Sequence, residues 1–458
     1  MLAATAVLFL LIRDAGQSLR APLPVAGDLF RNVSSGGKNE HVIAHVLLAL
    51  AVVIVAGKLI GAIFVVFKQP PVIGEVVAGI LLGPSLLGRI SPEAYAFILP
   101  HSVAPFLGVI AQLGVIIYMF VVGLELNAGL LREKAHTTIA ISHASIIAPF
   151  LLGSVLALYV YPRLSTSDVP FTSFALFMGV AMSITAFPVL ARILTDRGMS
   201  KSPLGVLALV CAATDDVTAW CLLAFVVGVA QSHVDGALLT CALALAYIAA
   251  MFFVARPLLA RYIERAPEGS TKSALPLVLV GMIISSLLTE LIGIHAIFGA
   301  FLFGAIIPHN SFIARELTLK LEDAVCILLL PAFFALTGMR TQIGLVSGLE
   351  NWLICGLIIL VAVVGKFGGS TLAARMTGMR WRDAAALGTL MNTRGLMELI
   401  VLNIGLDLKV ISPAVFAMMV LMALVTTAMT APILDLLVPS AREPVSPAPE
   451  HPPRHQTP

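Results

Sequence analysis

Two adjacent acids, Asp215 and Asp216, lie in CAATDDVTAW (211–220), near the middle of an apolar run of about 29 residues. On insertion scales a mid-membrane carboxylate costs about 2.5–3.5 kcal/mol, so such residues mark function by default. Like charges this close disfavour joint ionisation, so one of the pair should hold a proton within the working pH range. Such a pair lets protons and an incoming cation compete for the same oxygens, and the adjoining Thr214 counts as a further oxygen donor. Lys366, in IILVAVVGKFGGSTL (358–372), is a second chemical signal. It lies roughly 9 residues from the nearer end of its apolar stretch, about 13 Å at 1.5 Å per residue, which is long for snorkelling. Its expected role is ion-pair partner to one aspartate, released when the cation binds.

Two further places interrupt otherwise apolar stretches. AMSITAFPVLARIL (181–194) is expected to break at Thr185-Ala186-Phe187-Pro188, and GTLMNTRGLMELIV (388–401) at Asn392, Thr393, Arg394 and Gly395. Backbone broken at membrane depth is tolerated only around a cavity, where freed carbonyls and half-helix ends meet ions. Glu398 lies four residues after Arg394, on the same helix face, which fits a local ion pair. Glu75 and Glu125 are read near span ends, Glu75 as solvated and Glu125 as a vestibule or structural ion-pair residue. Lys58 is read as structural.

The elements that must position these residues follow from composition. Of 458 residues, 59% are hydrophobic and 12% charged, against about 25% charged in soluble domains. Apolar stretches of about 20 residues, the length needed to cross a bilayer, recur from His41 to Val438. The reading is an all-α polytopic membrane protein with about thirteen spans: 42–67, 71–88, 103–125, 136–161, 171–195, 202–230, 235–258, 274–292, 293–307, 316–339, 351–376, 380–405 and 411–438. Alternate loops carry 17 Lys and Arg against 4 in the other set, or 8 with the N-terminal tail included. By the positive-inside rule the C-terminus then faces the cytoplasm and the N-terminal tail faces out. Residues 1–41 read as a signal-like segment or short extra helix followed by an extracytoplasmic tail, 42–438 as the transmembrane unit, and 439–458 as a disordered, Pro-rich cytoplasmic tail.

An internal echo supports an inverted repeat. IGEVVAGILLGP (73–84) resembles IHAIFGAFLFGAIIP (294–308), and YMFVVGLE (118–125) resembles PAFFALTGMR (331–340). With six spans per half and one linking span, 235–258, the halves enter the membrane from opposite sides, as in secondary transporters. The five cysteines, all in apolar stretches and without metal-ligand spacing, read as small core residues. A net charge of +3 gives no case for nucleic acid, and no cofactor is implied. A passive cation channel is disfavoured because no TVGYG-like filter is present and the acids lie on one helix rather than in rings. An intramembrane aspartyl protease is disfavoured because neighbours on one helix point about 100° apart, whereas catalytic carboxylates must share a proton.

QPPVIGEVVAGILLGPSLLG (69–88), GIHAIFGAFLFGAIIP (293–308) and the long stretch 391–434 beginning MNTRGLMELIV resemble the plant cation/proton exchangers and their bacterial relatives. That group belongs to the monovalent cation:proton antiporter superfamily, with Kef-type and sodium/proton antiporters. The resemblance covers 42–438. It implies a thirteen-helix antiporter fold, with a dimerisation domain and an elevator-like core holding two crossed broken helices. It places the essential cation-binding carboxylate at Asp216, puts Asp215 where many members carry Asn, and places the core lysine at Lys366. Double-aspartate members are often electrogenic, so more than one proton per cation is expected. It further implies K⁺ or Na⁺ and H⁺ as substrates, a homodimer in lipid and a bacterial inner-membrane location. Only about 20 polar residues follow the last span, without GxGxxG, so gating through a cytosolic nucleotide-binding domain is not expected.

Overall fold

The computed structural model describes residues 2–22, 42–100, 102–125, 135–231, 234–265, 271–308 and 311–438. The expected tails at 23–41 and 439–458 lie outside them. All regular structure among the described residues is helical. Among the described residues ten helices are long and apolar enough to cross a membrane. The other three expected spans are the short apolar helix Ala296–Ile306, the pair Phe312–Ala324 and Leu330–Arg340 joined by one π-helical turn, and the broken pair Trp381–Met391 and Leu396–Asp407. The N-terminal run forms a helix, Leu2–Gly16, that packs through Phe9 on Phe150, with ring centroids 5.8 Å apart.

The helices sort into two bundles by what they touch. One, here the core bundle, contains Ala135–Leu164, the broken pair Phe171–Ser183 and Phe187–Asp196, the aspartate helix Pro203–Gln231, the lysine helix Leu349–Met376, the second broken pair, and Pro413–Leu437. The other, the scaffold bundle, contains Val42–Val66, Pro71–Leu82, Ala104–Glu125, Val234–Ala250, Thr271–Ile292, Ala296–Ile306 and Phe312–Arg340. Outside the connection between Pro203–Gln231 and Val234–Ala250, contact between bundles is sparse. It involves chiefly the turn Ile343–Leu345, bonded to Ser85 of the scaffold side, against Pro413–Leu437, then Leu330–Arg340 against Leu396–Asp407 and Pro413–Leu437 against Pro71–Leu82.

The two echoed motif pairs exchange partners. Pro71–Leu82 lies against Leu330–Arg340, and Ala296–Ile306 against Ala104–Glu125, so each short helix of one half packs on the glycine-bearing helix of the other. The contacts are at backbone distance. A β-carbon on Gly123 would fall 2.3 Å from the Phe301 carbonyl oxygen, and one on Gly338 would fall 2.5 Å from that of Val76. Only glycine allows such close approach. This reciprocity is what an inverted repeat requires.

Candidate functional site

The site is built where the two broken helices cross. The first stops at Ser183, runs extended through Ile184–Ala186 and restarts at Phe187. The break therefore lies one residue before the expected start at Thr185 and closes sooner, because Pro188 occupies the first turn of the second half, where its missing N–H costs nothing. The second break spans 392–395, as the four polar residues suggested. The Ala186 N–H donates to the Thr393 carbonyl at 3.0 Å, tying the two extended segments together. Thr427, on Pro413–Leu437, braces the second break by accepting from the Arg394 N–H at 3.0 Å.

Breaking a helix frees its last carbonyls, which carry the negative end of the helix dipole. At the end of Phe171–Ser183 two buried cations collect them. Arg394 donates to the Ala181 and Met182 carbonyls at 2.9 and 2.6 Å, and Lys366 donates to that of Ser183 at 2.5 Å. Each cation also has its own carboxylate. Arg394 pairs with Glu398 at 2.8 Å and Lys366 with Asp215 at 3.1 Å, with all four side chains fully buried. Lys366 sits in a π-helical turn, Val364–Gly368, a distortion common at functional sites. Gly365 lets this turn approach Pro149 closely, bringing Lys366 to the Ser145 carbonyl at 3.0 Å.

The two aspartates occupy opposite electrostatic situations. Asp215 accepts from Ser142 at 2.6 Å, from Ser145, and from Thr185 at 2.9 Å, in addition to Lys366. Its charge is matched and both oxygens are engaged. Asp216 is also buried, but its Oδ1 has no partner, and no cation pairs with it among the described ion pairs. It borders a small void of about 10 Å³ lined by Ile184, Ala219, Trp220, Leu223, Met397 and Val401. The indole N–H of Trp220 is likewise buried and unpartnered. One helical turn further along Leu396–Asp407, Ile400 and Ile404 line a much larger cavity of about 410 Å³ between the bundles. Ala104, Gln112, His295, Arg340 and Asp407 also line it, so it opens on the face with few basic loops.

Most expected residues thus converge: Asp215, Lys366, Thr185, Asn392, Thr393, Arg394 and Glu398 around the crossing, with Asp216 beside it. Thr214 does not join the network. Its hydroxyl donates back to the Val210 carbonyl of its own helix at 2.8 Å, and the oxygens around Asp215 come instead from Ser142, Ser145 and Thr185. Glu125 lies exposed at the end of its helix, away from these contacts. Glu75 is not merely solvated: it is buried and pairs with Lys58 at 3.3 Å, so Lys58, read as structural, has its partner there. Cys221 is exposed rather than core, and Cys241 lies where no side chain is described. Ser142 and Ser145 were missed, although their i, i+3 spacing in an apolar helix marks a shared polar stripe. Among the described residues no His, Cys, Asp and Glu cluster could hold a resident metal ion.

Residues 48–436 match the model of the transmembrane sodium/hydrogen exchanger family. The chain belongs to that family. Within it, the chain is 45% identical over 400 residues to the Na⁺/H⁺ antiporter NhaS4 of Synechocystis, covering 86% of this chain and 97% of the relative. It is 38% identical to cation/H⁺ antiporter 15 of Arabidopsis thaliana, over 87% of this chain and 49% of that protein. It is 33% identical to K⁺/H⁺ antiporter 1 of Saccharomyces cerevisiae, over 86% and 46%. The chain therefore spans about half the length of the plant and yeast relatives. The sodium/proton antiporter MjNhaP1 of Methanocaldococcus jannaschii shares the fold, with a TM-score of 0.63 at 16% identity over 86% of this chain and 96% of the other.

Proposed function

We propose that this exchanger-family chain carries a monovalent cation, K⁺ or Na⁺, across the membrane in exchange for protons, and that Asp216 is the shared seat. One observation carries the reading. In the crowded polar centre Asp215 and Glu398 each have a buried cation, whereas Asp216 has none. An unmatched buried carboxylate takes a proton or a metal cation rather than remain bare. With either bound, the centre is neutral, so both loaded forms can be moved through a low-dielectric region at similar cost. A second proton per cation then requires the Asp215–Lys366 pair to open, which is the role proposed for it.

The names of the relatives support the ion classes, since Na⁺ is printed for one and K⁺ for another. Movement of the core bundle against the scaffold bundle, as in an elevator, fits the sparse contact between them and the cavity at their boundary. By the loop-charge rule this cavity faces outward. The chain is further read as a homodimer in a bacterial inner membrane, with its C-terminus inside. The test is purified protein in liposomes loaded with a pH dye and given Li⁺, Na⁺, K⁺ or Rb⁺ pulses at several pH values. Proton movement is expected with at least one of Na⁺ and K⁺, and its loss in Asp216→Asn. Failure with both ions, or an unimpaired Asp216→Asn, ends the reading.

A further inference from the structure

The boundary between the bundles is apolar around much of the large cavity, where Phe333 and Leu336 of the scaffold and Ile400 and Ile404 of the core line the walls. At one end it is not. Thr337 and Arg340, three residues apart on the last turn of Leu330–Arg340, meet Asn403 and Asp407, four apart on the last turns of Leu396–Asp407. Arg340 Nη1 donates to Asn403 Oδ1 at 3.0 Å and to Asp407 Oδ1 at 2.9 Å. Asn403 Nδ2 donates to Thr337 Oγ1 at 2.8 Å, and both of those residues are buried. All three bonds cross from one bundle to the other. Arg340, Asn403 and Asp407 also line the cavity, so the bonds hold its rim.

Hydrogen bonds fail beyond about 3.5 Å, and one turn of helix is about 5.4 Å. A displacement of the core bundle by a single turn would break all three together. They belong to one relative position of the bundles, whereas the Asp215 and Arg394 networks lie wholly inside the core and travel with it. We propose that Thr337, Arg340, Asn403 and Asp407 form a clasp that holds the core in the position where the cavity is open, and that its release is a step of the transport cycle. The proposal rests on the exchange reading above. Arg340 and Asn403 act as positioning residues, since neither reaches Asp216. Losing the clasp should shift the balance of positions away from the open one by about tenfold, the scale set by one partly exposed ion pair and its hydrogen bonds.

The test uses the full chain with its five cysteines replaced by alanine and Gln112→Cys as a reporter thiol on the cavity wall. A membrane-impermeant maleimide is applied to each side of oriented vesicles. In the clasp-intact chain the thiol should label from one side only. Arg340→Gln and Asp407→Asn should each lower that labelling rate in proportion to the open fraction, by a factor of about two to ten, and raise the KM for cation from the same side by a similar factor, with kcat maintained or increased. The charge exchange Arg340→Asp with Asp407→Arg should restore both readouts. Melting temperature and elution profile identify variants that fail to fold, and Arg340→Lys, which keeps the charge, then takes the place of Arg340→Gln with a smaller expected shift. Unchanged labelling and KM in folded clasp variants overturns the proposal, as does a clasp-intact thiol that labels from neither side. Labelling needs no transport, so absence of exchange in the clasp-intact chain sinks the exchange reading separately.

Discussion

Replacing Lys366 by methionine removes a buried ammonium that donates to Asp215, to the Ser145 carbonyl at 3.0 Å and to the Ser183 carbonyl. Two costs follow. The carbonyls lose a charge-assisted donor, and Asp215 keeps its three hydroxyl donors but loses its countercharge. Breaking a buried ion pair by removing one partner costs about 3–5 kcal/mol when the remaining charge stays ionised. The deficit of Lys366→Met relative to wild type should therefore be about 3–5 kcal/mol. In Lys366→Met with Asp215→Asn it should be smaller, since no charge is stranded. Melting midpoints of the three detergent-purified proteins provide the measurement. A Lys366→Met protein that melts with wild type, or a double variant no better than the lysine variant, would refute the assignment of Lys366 as the charge partner of Asp215.

Four further outcomes follow from the same geometry. Asp216→Asn should abolish exchange in the liposome assay while melting at or above wild type, because the buried Oδ1 it alters has no partner to lose. Asp215→Asn should retain exchange at a lower proton-to-cation ratio, read as a shift in the membrane voltage at which flux reverses. Arg394→Met should reduce folded yield and melting temperature on the scale of about 3–5 kcal/mol for a broken buried pair, since it strands Glu398 and uncaps the Ala181 and Met182 carbonyls. Gly304→Ala should lower melting temperature by overpacking, typically about 1–3 kcal/mol, because its β-carbon would sit 2.3 Å from the Phe120 carbonyl oxygen; thermal melts monitored by size exclusion check it.

The fold was legible because lipid enforces simple rules on sequence. Spans of about 20 apolar residues, basic residues in alternate loops and echoed glycine motifs each report an obligation of the backbone or the bilayer. The site was partly legible for a related reason: a charge in an apolar run has few explanations, which singled out Asp215, Asp216, Lys366, Arg394 and Glu398. The pairings were less accessible. Arg394 with Glu398 follows from helix spacing alone, and Lys366 was expected to meet one aspartate, but nothing in the sequence chooses Asp215, 151 residues away, over Asp216. Serines and threonines carry no such alarm. Ser142 and Ser145 cost little in an apolar helix, so their i, i+3 spacing marks a polar stripe without announcing that it holds Asp215. Thr214 drew notice by adjacency, yet a threonine within a helix can satisfy its hydroxyl on the carbonyl one turn back, and it does so. Pro188 misplaced the first break because proline marks an interruption whether it ends one helix or begins the next.

Where backbones touch divides the molecule along the same line as the polar chemistry. Within the scaffold, Gly79 lies against Ala335, Gly123 against Phe301, and Gly299 against Ser285, each so close that a β-carbon would fall under 3.0 Å from its neighbour. Within the core, Gly153 meets the Met178 carbonyl oxygen, Gly365 the Pro149 backbone, and Gly388 the Phe367 carbonyl oxygen at similar distances. No contact this tight joins the two bundles among the described glycines. Close packing of this kind fixes register, because a shift of even one residue drives backbone into backbone. The boundary is instead lined by whole side chains, including Trp220 stacked on Phe301 with centroids 6.3 Å apart and the walls of the large cavity. Side chains can change rotamer and slide where backbones cannot. Each bundle is therefore locked internally, as the proposed movement requires. The unmatched carboxylate lies in the core beside this boundary, where the proposed rigid displacement would change the side from which it is reached while leaving the Lys366 and Arg394 pairs intact.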